Sequence, residues 1–396
     1  MKIAWLSPYN VTTLEPELSL ARHLDGHSCS WIVTLSEEIA LYPDIDLHII
    51  TESPLVNKTT IVRKGGITFH VIKSGIPFTN RGYPPYFNLE ILTAHRFNVR
   101  RLVAEVKRLN PDIVHAYGTE RGYSLAAYHS NYPCLITIQG VMNLIAADSH
   151  SRAAKTVKES ERFVVSKAKY FDCRTNLDTG FVKELNEKAH IFEIHHAIHP
   201  DFFAESWQVQ NEHSILFVGS VIKRKGIEIL LLSLGQLLTQ FPGLSLTIVG
   251  GVSVEYQAHL EEIAAAQGLI GKIRFAGFLS QKEIAAAHMR HQILAYPSFA
   301  ENSPNGVAEA MVSGLPVVVS SVGGVPSMIE DNVTGLLVEP SNVDSLTEAL
   351  KSLLDNPEKR QALSFAAREI AHMRHKPAKV GAKLMKAYQK ILDDKK

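Results

Sequence analysis

The chain lacks the long apolar runs and the charge bias that would assign it to several common protein classes. None of its apolar runs reaches the roughly 18–20 residues of a membrane-spanning helix, and the N-terminal run that stops at Pro8 is too short for a signal-peptide core. The formal net charge of +1 provides no field that would recruit nucleic acid. We therefore expect a cytoplasmic protein, at most peripheral at the inner face of a membrane.

Cysteine and metal-ligand patterns are also scarce. Cys29, Cys134 and Cys173 are odd in number and widely spaced, which is typical of reduced thiols. The histidines between positions 195 and 199 resemble a metal motif, but only Glu193 accompanies them, so we expect no metal and no cofactor. Gly219 opens no G-x-G-x-x-G fingerprint, which argues against a dinucleotide oxidoreductase.

Short apolar runs alternate with longer amphipathic stretches through most of the chain, a pattern typical of doubly wound α/β domains. The predicted strands are 3–7, 47–51, 67–72, 113–116, 134–138, 170–173, 191–194, 214–218, 244–249, 273–276, 293–296, 316–320 and 335–338. The predicted helices are 96–109, 227–240, 256–267, 281–288, 305–313, 345–354, 359–374 and 377–392.

A polar, aperiodic stretch from Ala204 to His213 predicts a linker between two domains. We therefore predict a Rossmann-like N-terminal domain over 1–203, a Rossmann-like C-terminal domain over 204–375, and a final helix over 376–396 that crosses back to the N-terminal domain. Ligands of open α/β sheets bind beyond the carboxyl ends of the strands. We expect the active site in a cleft between the two domains.

The segment from Pro297 to Met311 carries two carboxylates, Glu301 and Glu309, around a turn rich in Pro, Asn and Gly. An apolar strand precedes it, and a helix pattern begins at about Asn305. The free N–H groups and the dipole at the start of a helix attract phosphate, and carboxylates accept hydrogen bonds from hydroxyl groups. The segment therefore predicts a site for a nucleotide-sugar.

A basic loop follows the predicted strand 214–218. It begins at Gly219 and carries Lys223, Arg224 and Lys225 before Gly226 opens a helix. Three consecutive cations suit a diphosphate, although such a loop alone is also typical of a solvated surface. Together with the two carboxylates it predicts a diphosphate-binding loop.

Several motifs occur in order between about residues 214 and 374. They are Phe217-Val218-Gly219 with Lys225-Gly226, Gly250-Gly251, Gly277, Pro297-Ser298, the Glu301 and Glu309 pair, Gly314-x-Pro316-Val317-Val318, Gly323-Gly324 and Gly335-Leu336-Leu337-Val338. With this series the chain resembles the retaining glycosyltransferases of family 4 (glycosyl transferases group 1), which have the GT-B fold of two Rossmann-like domains facing each other across a cleft. The N-terminal half resembles them only loosely, through residues 111–116 and Gly118.

The resemblance implies roles for the matching residues. Lys225 resembles the family's diphosphate lysine, Glu301 the carboxylate that faces the transferred sugar, and Glu309 the carboxylate that holds the ribose hydroxyls. The N–H groups of residues 305–307 would face the phosphates, and the loop after position 277 would line the base pocket. The other predicted donor-binding residues are Gly219, Ser220, Arg224, Gly277, Phe278, Ser303, Asn305, Gly306 and Val307.

Two positions depart from the family's pattern. Ser220 stands where members often carry arginine, so Arg224 or Lys223 would supply the missing charge. Gln139 stands where many relatives place a histidine near the transferred sugar, and glutamine can bond a hydroxyl group but cannot titrate. The predicted catalytic residues are therefore Lys225, Glu301 and Gln139.

The N-terminal half is expected to choose the acceptor. Asn10, His115 and Glu120 lie at predicted strand ends and are the acceptor-side candidates, with Glu120 a partner for an acceptor hydroxyl. The loop from His27 to Trp31 is a further candidate. Basic stretches over 96–108 and 152–169 would contact anionic lipid head groups if they lay beside the opening of the acceptor site. Ordinary solvent-exposed helix faces would have the same composition.

These observations favour a metal-independent hexosyltransferase that moves a sugar from a nucleotide-diphosphate sugar to a hydroxyl acceptor, and the family resemblance implies that it retains the anomeric configuration. The expected acceptor is a saccharide or a lipid-linked glycan of envelope polysaccharide biosynthesis. The loop after position 277 does not discriminate between the bases, so UDP, GDP and ADP all stay open as the donor nucleotide. The alternatives are a GT-B-like nucleotide-sugar epimerase, a phosphorylase of similar architecture and a catalytically decayed sugar-nucleotide-binding protein. A phosphorylase would need a lysine in a pyridoxal-binding context, and the sequence shows none. Product analysis with a labelled donor separates transfer from epimerisation, and any turnover excludes the decayed protein.

Overall fold

The computed structural model of the chain describes residues 1–18, 29–56, 58–74, 95–145, 151–208 and 213–395. These residues form two compact units, one made of Met1–His195 with Val380–Lys396 and the other of His196–Lys379. The predicted loop candidates His27 and Ser28 lie outside the described residues. Each unit is an α/β sheet with helices, as the alternating sequence pattern predicted.

The first unit contains an eight-stranded sheet. Its strands are β1 (Lys2–Leu6), β2 (Asp46–Ser53), β3 (Thr60–Lys64), β4 (Ile67–Lys73), β5 (Ile113–Tyr117), β6 (Cys134–Thr137), β7 (Tyr170–Cys173) and β8 (His190–Glu193). The spatial order is β3-β4-β2-β1-β5-β6-β7-β8. Every neighbouring pair is parallel except β3 with β4. The central strands β1 and β5 are almost wholly buried, as expected when helices cover both faces of a parallel sheet.

The described helices of the first unit include one from the C-terminus of the chain. They are α1 (Ser30–Ala40), α2 (Arg96–Leu109), α3 (Tyr123–Ser130), α4 (Met142–Ile145), α5 (Arg152–Lys167), α6 (Asn176–Leu185) and α13 (Pro377–Asp393), of which α13 joins this unit from Val380 onward. Inside the unit, Trp5 Nε1 donates to the Tyr388 hydroxyl of α13 at 2.8 Å. Residues from the far end of the chain thus complete the first core.

The second unit contains a six-stranded parallel sheet. Its strands are β9 (Ser214–Val218), β10 (Ser245–Val249), β11 (Ile273–Gly277), β12 (Ile293–Tyr296), β13 (Val317–Ser320) and β14 (Leu336–Val338). The spatial order is β11-β10-β9-β12-β13-β14, with all pairs parallel. The helices are α7 (Ile227–Leu237), α8 (Val254–Ala266), α9 (Gln281–Arg290), α10 (Asn305–Ser313), α11 (Val343–Leu354) and α12 (Pro357–His375).

The division between the units corrects the predicted linker. The break falls between His195 and His196, whereas the sequence suggested a connection from Ala204 to His213. Trp207 explains the difference, because it is 1% exposed and its Nε1 donates to the backbone oxygen of His291 at 2.7 Å. A buried indole that finds a hydrogen-bond partner anchors its segment to the second core.

Strand β3 was not predicted. Its sequence, Thr60–Lys64, is mostly polar, and Val62 is its single buried residue. The strand pairs antiparallel with β4 at the sheet edge, where a side chain on the open face need not be apolar.

None of the helices formed by the described residues combines the length and the apolar character that a membrane-spanning helix requires.

Candidate functional site

The second sheet has a point where the direction of winding reverses. From β9 the chain builds β10 and β11 on one side and then returns to place β12 on the other side of β9. The loops that leave the carboxyl ends of β9 and β12 therefore run to opposite faces and open a crevice between them. Ligands of open α/β sheets bind at such a point, and the two motif loops of the sequence analysis are the loops found here.

A close backbone contact joins the two loops. Gly226 has a φ of 69°, and a Cβ on it would lie 2.0 Å from the carbonyl oxygen of Pro297. The Phe299 N–H also donates to the Arg224 carbonyl at 2.8 Å. A residue with a side chain could adopt neither this φ nor this approach without strain, so glycine at 226 sets the distance between the loops.

Lys225 lies at the centre of a charged group that we call the lysine cluster, made of Lys225, Arg224, Tyr296 and Glu301. Lys225 is 8% exposed, and its Nζ donates to Glu301 Oε1 at 2.5 Å and to the Tyr296 hydroxyl at 2.7 Å. Arg224 Nη1 lies 3.2 Å from the same Glu301 oxygen and also donates to the Ala300 carbonyl. Burial lowers the pKa of Lys225, and the adjacent Glu301 opposes that effect.

Glu309 is the second predicted carboxylate, and it lies on α10. It is 4% exposed, and Asn305 Nδ2 donates to its Oε1 at 2.5 Å. Burial raises the pKa of Glu309 to about 8, while the Asn305 hydrogen bond opposes the rise. A buried carboxyl group with few donors favours its neutral form until a ligand supplies hydrogen bonds to the charged form.

The start of α10 lies beside the end of β9. Pro304 caps the helix, and the N–H of Val307 donates to the Pro304 carbonyl at 3.2 Å. That N–H is therefore already engaged, unlike the exposed donor that the sequence analysis assigned to Val307. A Cβ on Gly306 would lie 3.1 Å from the Val218 carbonyl, so the small residue allows the helix to approach the strand. Ser303 is partly exposed in the preceding loop.

Two further loops leave the same sheet edge, after β10 and β11, and backbone hydrogen bonds join the strand ends at this edge. The N–H of Gly219 donates to Val249 O at 2.9 Å, and the N–H of Gly250 donates to Gly277 O at 2.8 Å. Phe278 is 53% exposed, and its ring leaves no space for a Cβ on Gly251. An exposed aromatic ring held in this way offers a face for a planar ring. Ser220 is exposed.

The first sheet reverses its winding between β1 and β5, and two acceptor-side candidates follow these strands. Asn10 accepts hydrogen bonds from the backbone N–H of Thr12 at 3.2 Å and from its hydroxyl at 2.7 Å, which caps a short 3-10 turn. Glu120 folds back over Gly118, where a Cβ would lie 2.5 Å from its Oε2. Burial raises the pKa of Glu120.

His115 does not face a binding site, so that prediction is wrong. The ring is 0% exposed, its Nδ1 lies 2.6 Å from the Tyr388 hydroxyl, and its Nε2 lies 2.7 Å from Thr137 Oγ1. Thr137 donates onward to Asp172 Oδ2 at 2.8 Å. His115 precedes the end of β5, and both of its nitrogens are used inside the unit. Gln139 lies just beyond the end of β6 and is partly buried.

Two site residues were missed by sequence reasoning. Tyr296 was assigned only to an apolar strand, yet its hydroxyl contacts Lys225; a phenol immediately before the Pro297 loop was the available signal. Glu161 is 0% exposed and accepts from the Thr119 hydroxyl at 2.6 Å and from the Asn143 N–H at 2.8 Å. It thereby joins the loops after β5 and β6, and no sequence pattern indicated this.

The family match of this chain falls within the second unit. Residues 200–370 match the family described as Glycosyl transferases group 1. The D-inositol 3-phosphate glycosyltransferase of Nocardioides sp. is 32% identical over 172 residues, which are 40% of this chain and 38% of that relative. The chain thus spans well under half of the length of that curated relative.

Solved structures match over the whole length. Sucrose-phosphate synthase from Thermosynechococcus elongatus has a TM-score of 0.81 at 18% identity, covering 99% of each chain. HepE from Anabaena, solved in complex with UDP and glucose, has a TM-score of 0.72 at 15% identity, covering 98% of this chain and 100% of that one. The chain therefore has the GT-B fold of two parallel-sheet α/β domains, as the sequence analysis predicted.

Proposed function

We propose that the chain is a retaining glycosyltransferase of family 4 that moves a hexosyl group from a nucleotide-diphosphate sugar to a hydroxyl acceptor. The observation that carries the proposal is the lysine cluster at the winding reversal of the second sheet. The loop that supplies Glu301 to this cluster leads directly into α10, which carries the buried carboxyl group of Glu309. This combination offers a cation for a diphosphate and two carboxyl groups for hydroxyls within one crevice. The match of residues 200–370 to the glycosyltransferase family supports it.

The cation would act on the leaving group. Transfer breaks the bond between the anomeric carbon and a phosphate oxygen, and the departing nucleoside diphosphate gains negative charge. A fixed ammonium stabilises that charge more in the transition state than in the ground state. Lys225 is held by side chains of β12 and its loop, so little reorganisation is needed. We propose that Lys225 and Arg224 supply this charge without a metal.

The two carboxylates would hold the sugars on either side of the diphosphate. Glu309 would accept from the ribose hydroxyls and Glu301 from the transferred sugar, in line with the family resemblance. Glu301 accepts from Lys225 and Arg224 through Oε1, and once a phosphate takes over these two cations the carboxylate would accept from a sugar hydroxyl instead. Phe278 would face the nucleotide base.

The first unit would bind the acceptor. Glu120 at the winding reversal of the first sheet is the proposed partner for an acceptor hydroxyl, and Gln139 would orient the transferred sugar. We propose a saccharide or lipid-linked glycan of envelope polysaccharide biosynthesis as the acceptor, with peripheral membrane contact. The relative from Nocardioides is named for D-inositol 3-phosphate, which makes a polyol phosphate a second acceptor worth including in an assay.

Nucleotide binding provides the first test. The melting temperature is measured with UDP, GDP and ADP, with UDP given priority because HepE was solved with it. A nucleotide at one hundred times its dissociation constant stabilises the folded form by about 2.7 kcal/mol. If none of the three nucleotides raises the melting temperature, the proposal is wrong.

Turnover provides the second test. Labelled UDP-glucose and its GDP- and ADP-linked counterparts are incubated with a crude glycan or lipid extract, with and without EDTA, and the products are separated. Labelled product larger than the donor supports transfer, its anomeric configuration tests retention, and unchanged rates in EDTA support metal independence. An epimerised donor with no transfer product would indicate the epimerase instead.

A further inference from the structure

The Tyr296 hydroxyl is a fixed point at the base of the lysine cluster. Tyr296 is the last residue of β12 and is 3% exposed. Its ring stacks on Phe217 of the neighbouring β9, with centroids 5.5 Å apart and an interplanar angle of 12°. A stacked, buried ring between two central strands has little freedom to move. Its hydroxyl therefore stays where Lys225 Nζ meets it, at 2.7 Å.

Glu301, the other partner of Lys225, belongs to an irregular loop. An ammonium group has three N–H donors, and Lys225 directs two of them to Glu301 and Tyr296. A phosphate competes with Glu301 for the same cation because both are anions. Tyr296 does not compete in this way, since a neutral phenol accepts a hydrogen bond and leaves the charge of the lysine uncompensated.

We propose that Tyr296 is a positioning residue whose hydroxyl holds the Lys225 ammonium toward the diphosphate when Glu301 turns to the transferred sugar. The inference rests on the proposed function and names a residue that the family resemblance does not assign. The neutral acceptor keeps the cation in place at no cost in charge. The carboxylate alone would either hold the lysine and miss the sugar, or hold the sugar and release the lysine.

The substitution Tyr296→Phe tests this directly, because it removes one oxygen and keeps the stacked ring. We expect UDP and inorganic pyrophosphate, titrated separately by calorimetry, to bind about tenfold more weakly, as for the loss of one hydrogen bond to a charged group. A hydrogen bond to the charged form also raises an ammonium pKa. In Tyr296→Phe, binding should therefore be lost at a lower pH on the alkaline side than in the wild type.

A double-mutant cycle separates positioning from a general structural role. If the hydroxyl acts through Lys225, Tyr296→Phe should weaken UDP binding in the wild type and have no further effect in Lys225→Ala. Tyr132→Phe is the matched control, since it removes a hydroxyl that donates to Asn110 Oδ1 at 2.8 Å in the first unit. It should leave UDP binding unchanged.

The outcomes distinguish this inference from the proposed function. Equal losses in both backgrounds, or unchanged affinity and an unchanged alkaline limit in Tyr296→Phe, overturn the positioning role while the proposed function stands. A wild-type protein that binds none of UDP, GDP, ADP and pyrophosphate overturns both the positioning role and the proposed function. Circular dichroism of each variant verifies the fold, and a Tyr296→Phe protein that unfolds would show a structural role and also overturn the inference.

Discussion

Replacing Glu309 with glutamine should stabilise the ligand-free protein and weaken nucleotide binding at the same time. Burial raises the pKa of Glu309 to about 8 from a reference value of 4.5. Glutamine has nearly the same shape, and its side-chain oxygen can still accept the hydrogen bond from Asn305 Nδ2. Glu309→Gln therefore removes the titration and keeps the packing of α10.

The sign of the stability change follows from the two protonation states. Between pH 4.5 and about 8 the unfolded chain ionises at Glu309 while the folded chain stays protonated there. The contribution of this group to the free energy of unfolding is thus complete below pH 4.5 and is lost as the pH rises through 8. At ~1.4 kcal/mol per pH unit, the total loss is about 5 kcal/mol, and the glutamine variant should not suffer it.

Urea denaturation at several pH values measures the effect. Midpoints of wild type and Glu309→Gln should agree near pH 4.5, separate as the pH rises, and stay at a constant separation above pH 8. Glu262→Gln, a change at an exposed carboxylate of α8, is the control and should follow the wild type. Parallel pH profiles for wild type and Glu309→Gln would refute the reasoning, because Glu309 would then titrate alike in the folded and unfolded chains.

Nucleotide binding should respond in the opposite direction. Ribose hydroxyls donate best to an ionised carboxylate, so UDP binding at pH 7 should release protons from Glu309. Calorimetry in two buffers of different ionisation enthalpy measures this release, which we expect to approach one proton per UDP and to vanish in Glu309→Gln. The affinity of that variant should fall by about tenfold, the equivalent of one charge-assisted hydrogen bond. A Glu309→Gln variant that is more stable than the wild type but binds UDP more weakly would mark Glu309 as a residue kept for function.

Three further changes have defined outcomes. Lys225→Ala should lower turnover by about 100-fold or more. It should lower the free energy of unfolding by less than the ~3–5 kcal/mol of a buried charge left unpaired, because Arg224 stays 3.2 Å from Glu301. The exposed Lys351→Ala should match the wild type, and unchanged turnover in the Lys225 variant would contradict its role. Gly226→Ala should lower the melting temperature and nucleotide affinity together, since its Cβ would meet a carbonyl oxygen at 2.0 Å. Tyr388→Phe should lower the free energy of unfolding by about 1–3 kcal/mol, because it leaves buried groups without a partner. The affinity for UDP should not change. A variant that keeps its stability but loses UDP binding would contradict this purely structural role of Tyr388.

Much of the second unit was predictable because its signals are local. Strands 214–218 and 293–296 and helix 305–313 were predicted with the bounds that the structure shows. Continuous apolar runs with glycine or proline at their ends leave few alternatives for a strand. The strand order that brings the loops after β9 and β12 together follows from the doubly wound pattern.

The first unit was less predictable because its key contacts join distant segments. The hydroxyl of Tyr388 and the ring of His115 are 273 positions apart in the sequence, and no local pattern indicates that they meet. Edge strand β3 has too few buried residues to stand out. His115 was misassigned because proximity to a strand end does not determine which way a side chain points.

The sequence by itself determined the α/β class, the order of the elements and the loops that carry Lys225, Glu301 and Glu309, because apolar periodicity and turn residues act over a few positions. The tertiary structure alone decided the protonation and pairing of those residues. Burial sets the pKa of Glu309, and the stacking of the Tyr296 ring on Phe217 of β9 places the Tyr296 hydroxyl against Lys225. Both depend on how much protein surrounds a group, which only the packed fold defines.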